Sequence, residues 1–399
     1  MNPTERRHER IVTWAVVASF AAFWLIVVAT SEPPEFNDQY VQYAVAWVLF
    51  TTPWAFAARY LWRAWWARTG VSLSELDGPA RLLAAAVAAL PDERRDWGAA
   101  MAAELDQVRG SSARWWFALG CARTAIFPPR SSRVPVLLVA AQTVAAVVAA
   151  GPIVGYALPA MRVFAMTFVA LVGAMATLAV ARSRRVRQTA PGPTIATAGV
   201  AGVAACTAVT AYFLVKNPAA AEHLSPSAAV IFAVVLAGCL WLALTPPRGL
   251  TSSRLARVVG ICTALVFGIG FLVSSRLTIH THGGPLGWVL LAPPPIFFIF
   301  SAVAARYGRS FGAGAQTAIW TALVATLLVF AISMPETMHR YAIDGRTLGD
   351  GESGYPIGVN LPGAIWVLVV IPIWGLPFGV IGAAIGNASW QRRRQPRGD

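Results

Sequence analysis

Apolar runs of about 20 residues recur along almost the whole chain, and nothing else in it constrains the fold so strongly. "IVTWAVVASFAAFWLIVVAT" (Ile11–Thr30) is the first and "LPGAIWVLVVIPIWGLPFGVIGAAI" (Leu361–Ile385) the last. A helix of about 20 apolar residues crosses a hydrocarbon core of roughly 30 Å. No water reaches backbone groups there, so each run must satisfy its own amides and carbonyls as a helix. Composition agrees: 57% of the 399 residues are hydrophobic and 13% are charged, for a mean hydropathy of +0.58. Soluble domains carry about 25% charged residues. A large soluble helical core would need polar helix faces that these runs lack. The expected fold class is all-α: a polytopic transmembrane helix bundle.

Ten candidate spans follow: Ile11–Thr30, Val41–Leu61, Val134–Gly155, Met161–Ala181, Thr194–Val215, Ala228–Leu244, Val258–Ser275, Leu286–Ala304, Ala313–Met334 and Leu361–Ile385. The distribution of basic residues tests that number, because cytoplasmic segments collect Lys and Arg. With the N-terminus in the cytoplasm, the inside segments hold Arg6, Arg7 and Arg10, the arginines from Arg59 to Arg133, and "RSRRVR" at Arg182–Arg187. They also hold Arg248, Arg254, Arg257, Arg306, Arg309 and the tail "RRRQPR". That places 27 of the 32 basic residues inside and leaves only Arg162, Lys216, Arg276, Arg340 and Arg346 outside. A miscounted span would scramble the bias beyond the error, so ten spans with both termini cytoplasmic is the expected topology. The net charge of +14 therefore reflects helix ends facing a membrane surface, and nucleic acid is not an expected partner. The N-terminal run is read as an uncleaved first span, since no small-residue cleavage site follows it.

The expected organisation is an N-terminal hairpin (1–70), a cytoplasmic insert (71–133), an eight-span bundle (134–390) and a basic tail (391–399). The insert is where charge collects. Asp77 can cap a helix with Pro79 in its first turn and Pro91 beyond its end. A second helix starting near Pro91 places Asp92 and Glu93 in its first turn, and Gly110 supplies a left-handed stop after Arg109. Trp97, Met101, Leu105 and Val108 fall on one face, flanked by Arg94 and Arg95. That face, with its two arginines, is the candidate partner interface. A third helix begins near Ser111 or Ser112 and runs to Phe127. Its Trp115, Trp116, Arg114 and Arg123 suit a helix lying among lipid headgroups. The competing reading is a folded connector whose apolar faces pack on one another and on the bilayer.

The segment Leu82–Arg123, "LLAAAVAALPDERRDWGAAMAAELDQVRGSSARWWFALGCAR", resembles one met in uncharacterised multi-pass membrane proteins of actinomycetes. The elements that carry the likeness are "LP", "RRDWG", "AM", "AEL" and "RWWFALGC", over roughly a tenth of the chain. The resemblance implies membership of that group and a bacterial plasma membrane. It implies no reaction.

Chemistry is sparse elsewhere. No Asp, Glu, Lys or Arg lies well inside an expected span, and intramembrane ionisable groups are the usual mark of proton relays. Walker-type and HExxH motifs are missing from the sequence, so enzyme readings are weak and no cofactor is implied. Cys121, Cys206, Cys239 and Cys262 form no CxxC pair, which argues against a disulfide framework or a zinc knuckle. His280 and His282 ("THTHGG"), with Glu336 and His339 ("ETMH"), form a candidate metal set on the outer side. Two spans are irregular. Pro293, Pro294 and Pro295 remove three successive amide donors from the eighth span. Pro372 and Pro377, with the Gly375/Gly379 and Gly382/Gly386 pairs, mark the tenth. Broken helices of this kind line solute cavities in transporters. Three functions remain open at this point: a non-enzymatic membrane component with a cytoplasmic partner-binding or regulatory module, a permease for a small or lipophilic solute using the proline-interrupted span, or a membrane enzyme acting on lipid or cell-wall intermediates from outside.

Overall fold

A computed structural model describes residues 10–22, 37–66, 76–88, 95–126, 134–182, 193–246, 248–278, 286–345 and 356–394. Among the described residues there are only helices and their connections, so the all-α expectation holds at that level. The chain divides into two compact units: Met1–Pro135 with Val180–Val186, and Val136–Ala179 with Arg187–Asp399.

The first unit contains α1 (Arg10–Ala22), α2 (Asn37–Trp66), α3 (Gly78–Ala88), α4 (Arg95–Gln107) and α5 (Ser111–Ile126). Local signals set the limits of the last three. The Asp77 carboxylate accepts from the Ala80 amide at 3.0 Å and so caps α3. Gly110 sits at φ +92° between α4 and α5, a conformation glycine adopts without the penalty a Cβ brings. Leu83, Met101, Leu105 and Ala118 form a buried core of these three helices, closed at its edge by Leu82, Val87, Phe117 and Cys121.

The second unit is built around one long helix. Its elements are α6 (Val134–Ala157), α7 (Arg162–Arg182), α8 (Pro193–Lys216), α9 (Pro226–Leu244), α10 (Arg248–Thr251), α11 (Arg254–Leu277), α12 (Leu286–Leu291), α13 (Pro293–Tyr307), α14 (Phe311–Asp344) and α15 (Asn360–Arg394). Ser225, Ser253 and Ser310 cap α9, α11 and α14 with their hydroxyls. The central α14 contributes to both hydrophobic cores. On one side Trp320, Leu327 and Phe330 meet Phe232 of α9, Phe213 of α8 and Leu368 of α15. On the other, Ala318, Ala325 and Val329 meet Phe267 of α11, Phe297 of α13 and Ile371 of α15.

Among the described residues seven helices are long and apolar enough to cross a membrane: α6, α7, α8, α9, α11, α14 and α15. The other three expected spans correspond to α1, α2 and the α12–α13 pair; His280, His282 and part of the first expected span lie outside the described residues. One expectation needs correction. The segment read as an outside loop from Pro335 to Asn360 begins as helix: α14 runs through Pro335 to Asp344 and stops only at Gly345, whose φ is +69°. At 1.5 Å per residue a 34-residue helix is about 50 Å long. It outlasts a hydrocarbon core of roughly 30 Å, so polar residues in its last turns need not lie in lipid.

Candidate functional site

Within the insert, α3, α4 and α5 spend most of their apolar surface on one another. Leu105 is 1% exposed and Met101 is buried with it, so both face the module's own core and are not free for a partner; Val108 is half-buried at the end of α4. Trp97 alone of that face keeps an exposed side chain. Gly98 lies against Val87 and Gly78 against Trp115, contacts that bring the helix backbones close. Arg94 lies outside the described residues.

Arg114 binds the module together. Its Nε donates to Asp77 Oδ2 at 2.8 Å, while Nη1 donates to the carbonyls of Leu105 at 2.6 Å and Val108 at 3.3 Å. One guanidinium thus ties the start of α3 to the end of α4. The hydrogen bond from Arg114 holds the Asp77 carboxyl below its ordinary value of 3.8, aided by the Ala80 amide. The same bond raises the Arg114 guanidinium. Arg114 is therefore committed within the module. Burial pushes the Cys121 thiol above its ordinary value.

The proline-interrupted segment is a short break and not an unwound stretch. Pro293–Pro295 occupy the first turn of α13, and Ala292 before them keeps right-handed helical angles. Three prolines still leave the carbonyls of Val289, Leu290 and Leu291 without their i+4 amides. The indole Nε1 of Trp374, between Pro372 and Pro377 on α15, donates to the Leu290 carbonyl at 2.6 Å. The two irregular helices therefore meet, as the sequence suggested, and one repairs the other. Along the rest of this contact a Cβ at Gly382 or Gly386 would collide with the backbone carbonyls of Phe298 and Ala302. The Ser301 hydroxyl is buried beside Gly379 and has no hydrogen-bond partner among the described residues.

The third site is the seam between α11 and α14. Thr317 donates to the Ala256 carbonyl and Thr321 to that of Gly260, each 61 residues apart; Ser275 donates to Glu336 at the same separation. A constant offset means the two helices run parallel. At one end Gln316 accepts from the Ser253 amide and donates to Ser252, and the Trp320 indole donates to the Leu250 carbonyl. At the other end Glu336, only 3% exposed, accepts from Ser275 Oγ at 2.9 Å and pairs with Arg276 at 2.9 Å. One turn further Arg340, 1% exposed, donates to the carbonyls of Ser275 and Thr278 and to the Thr278 hydroxyl. Sequence reasoning passed over this cluster because Pro335 was read as a helix end. The available signal was Ser333, Glu336, Thr337 and Arg340, spaced to share one face of a continued helix. His339, one position before Arg340, is exposed. Among the described residues no three His, Cys, Asp or Glu side chains are grouped to hold a metal ion.

No protein-family model matches the chain, and neither a curated protein nor a solved structure does.

Proposed function

We propose that the chain is a non-enzymatic integral protein of a bacterial plasma membrane. It has ten spans and both termini in the cytoplasm, with its insert serving as a cytoplasmic module that docks a soluble partner or regulates the bundle. The observation that carries this reading is the closed core of the insert. A mere connector has no need of one, whereas a module that presents a surface does. The surface this leaves for a partner is the exposed part of α4, which carries Trp97 together with Asp96, Glu104 and Asp106. Exposed tryptophan within a polar rim is a frequent anchor of protein interfaces. The bias of basic residues supports the topology.

A photo-crosslinking residue at position 97 in the full-length protein tests the docking role. The expected result is one discrete protein adduct that Glu104→Lys abolishes, together with a bundle that still purifies when residues 76–126 are deleted. An adduct pattern unchanged by Glu104→Lys, or none at all, contradicts the docking role.

One observation favours the second reading, a permease for a small or lipophilic solute. The unpartnered Ser301 hydroxyl lies where the proline- and glycine-bearing helices α13 and α15 meet, and a hydrogen-bonding solute could satisfy it. If so, Ser301→Ala and replacement of Pro293–Pro295 alter solute accumulation in vesicles at unchanged protein levels. The same accumulation in both variants removes this reading.

A further inference from the structure

The charges of the insert are segregated by helix. Among the described residues, α4 carries three exposed acids, Asp96, Glu104 and Asp106, against one basic residue, Arg95, while the other exposed acid of the insert, Asp77 at the start of α3, is tied to Arg114. The α5 helix carries no acid, and its two charges are Arg114 and Arg123. Arg114 is engaged with Asp77, which leaves Arg123 exposed. One face of α5 consists of Ser112, Trp116, Leu119, Gly120 and Arg123, residues that repeat at helical spacing. Trp116 is 74% exposed and Leu119 is 46% exposed, and nothing lies within reach of a Cβ at Gly120. The opposite face, with Phe117, Ala118 and Cys121, is spent on the module core.

We infer that this α5 face rests on the headgroup region of an anionic bilayer, with Trp116 and Leu119 in the interface and Arg123 among the phosphates. The acidic outer face of α4 is thereby turned toward the cytosol. Charge complementarity selects the occupant: an anionic surface attracts the arginine-bearing helix and repels the acidic one. Tryptophan prefers the membrane–water interface for its amphipathic ring. Chain length supplies the second argument. Only residues 127–133 separate α5 from α6, and at full extension they reach about 28 Å. An apolar segment suited to span a membrane begins there, at Val136. A surface contact held by so short a tether is effectively intramolecular, so a weak interaction is enough to keep it closed. This orientation stands independently of the docking reading for α4, which concerns a different face.

The test is spin-label accessibility in the full-length protein, reconstituted into nanodiscs of phosphatidylglycerol with phosphatidylcholine or of phosphatidylcholine alone. Single labels replace Trp116, Leu119 or Glu104, in a background whose four cysteines are changed to alanine. In the anionic discs the labels at 116 and 119 are expected to be several-fold more accessible to oxygen than to a water-soluble nickel chelate, and the label at 104 the reverse. Arg123→Glu, or uncharged discs, should shift 116 and 119 toward the aqueous signature while leaving 104 unchanged. Aqueous signatures at 116 and 119 in anionic discs overturn the inference. Protection of both from oxygen and nickel alike, as contact with a protein or a second copy would give, also overturns it.

Discussion

Two arginines do the same work in different surroundings. Arg114 donates to the final carbonyls of α4 and Arg340 to those of α11. In each case a cation meets the negative end of a helix dipole and donates to carbonyls of its last turn. The planar fork reaches several carbonyls together, which a lysine ammonium does not reproduce. Arg340→Lys is therefore expected to lower the melting temperature of the purified protein, and Arg340→Ala to cost more, about 1.5–3 kcal/mol for lost charged hydrogen bonds. Arg276→Ala leaves buried Glu336 without its cation, so the double variant Arg276→Ala/Glu336→Gln should melt higher than Arg276→Ala alone. The Arg114 clamp also makes a pH prediction. The folded Asp77 carboxyl lies below its ordinary 3.8, so its contribution is complete above that value and disappears as pH falls through the folded value. Proteolysis at the Gly110 turn should rise in that acid range, and Asp77→Asn or Arg114→Ala should show the increase already at neutral pH.

At the scale of elements, the insert was largely legible. The Asp77 cap, the Gly110 stop and the start of α5 at Ser111 were each read from local chemistry, because caps and stops depend on one or two residues. What the Trp97–Val108 face touches was not legible, since an apolar stripe looks the same whether it meets a neighbouring helix or a partner. The end of α14 was misread because a proline inside a helix removes one donor without always ending it; here tertiary contacts of Glu336 and Arg340 with α11 hold the helix together past Pro335. The glycine pairs of α15 were assigned to close helix contact, and their partners on α13 supply a prediction. Gly382→Leu would drive a side chain into the Phe298 carbonyl and should sharply reduce the yield of folded protein. Gly363→Ala, with nothing within 4 Å of its Cβ, should be neutral or slightly stabilising. Equal losses in both would contradict the packing described for α13 and α15.

At the scale of the whole molecule, α14 acts as a central post, with α11 fastened to it near both ends and α8, α9, α13 and α15 packed around it. The parallel course of α11 and α14 gathers Arg254 and Arg257 with the start of α14 at one end, and the Arg276–Glu336 pair at the other. The proposed topology puts the Arg254 and Arg257 end of this pair in the cytoplasm. The most direct test of this account is a set of reporter fusions in a bacterial host, with an enzyme active only outside the cytoplasm and a fluorescent protein that matures only inside. The account predicts an inside signal at Gly110 and at the C-terminus, and an outside signal just after Gly345. An outside signal at Gly110, or the same side for Gly110 and Gly345, would contradict it.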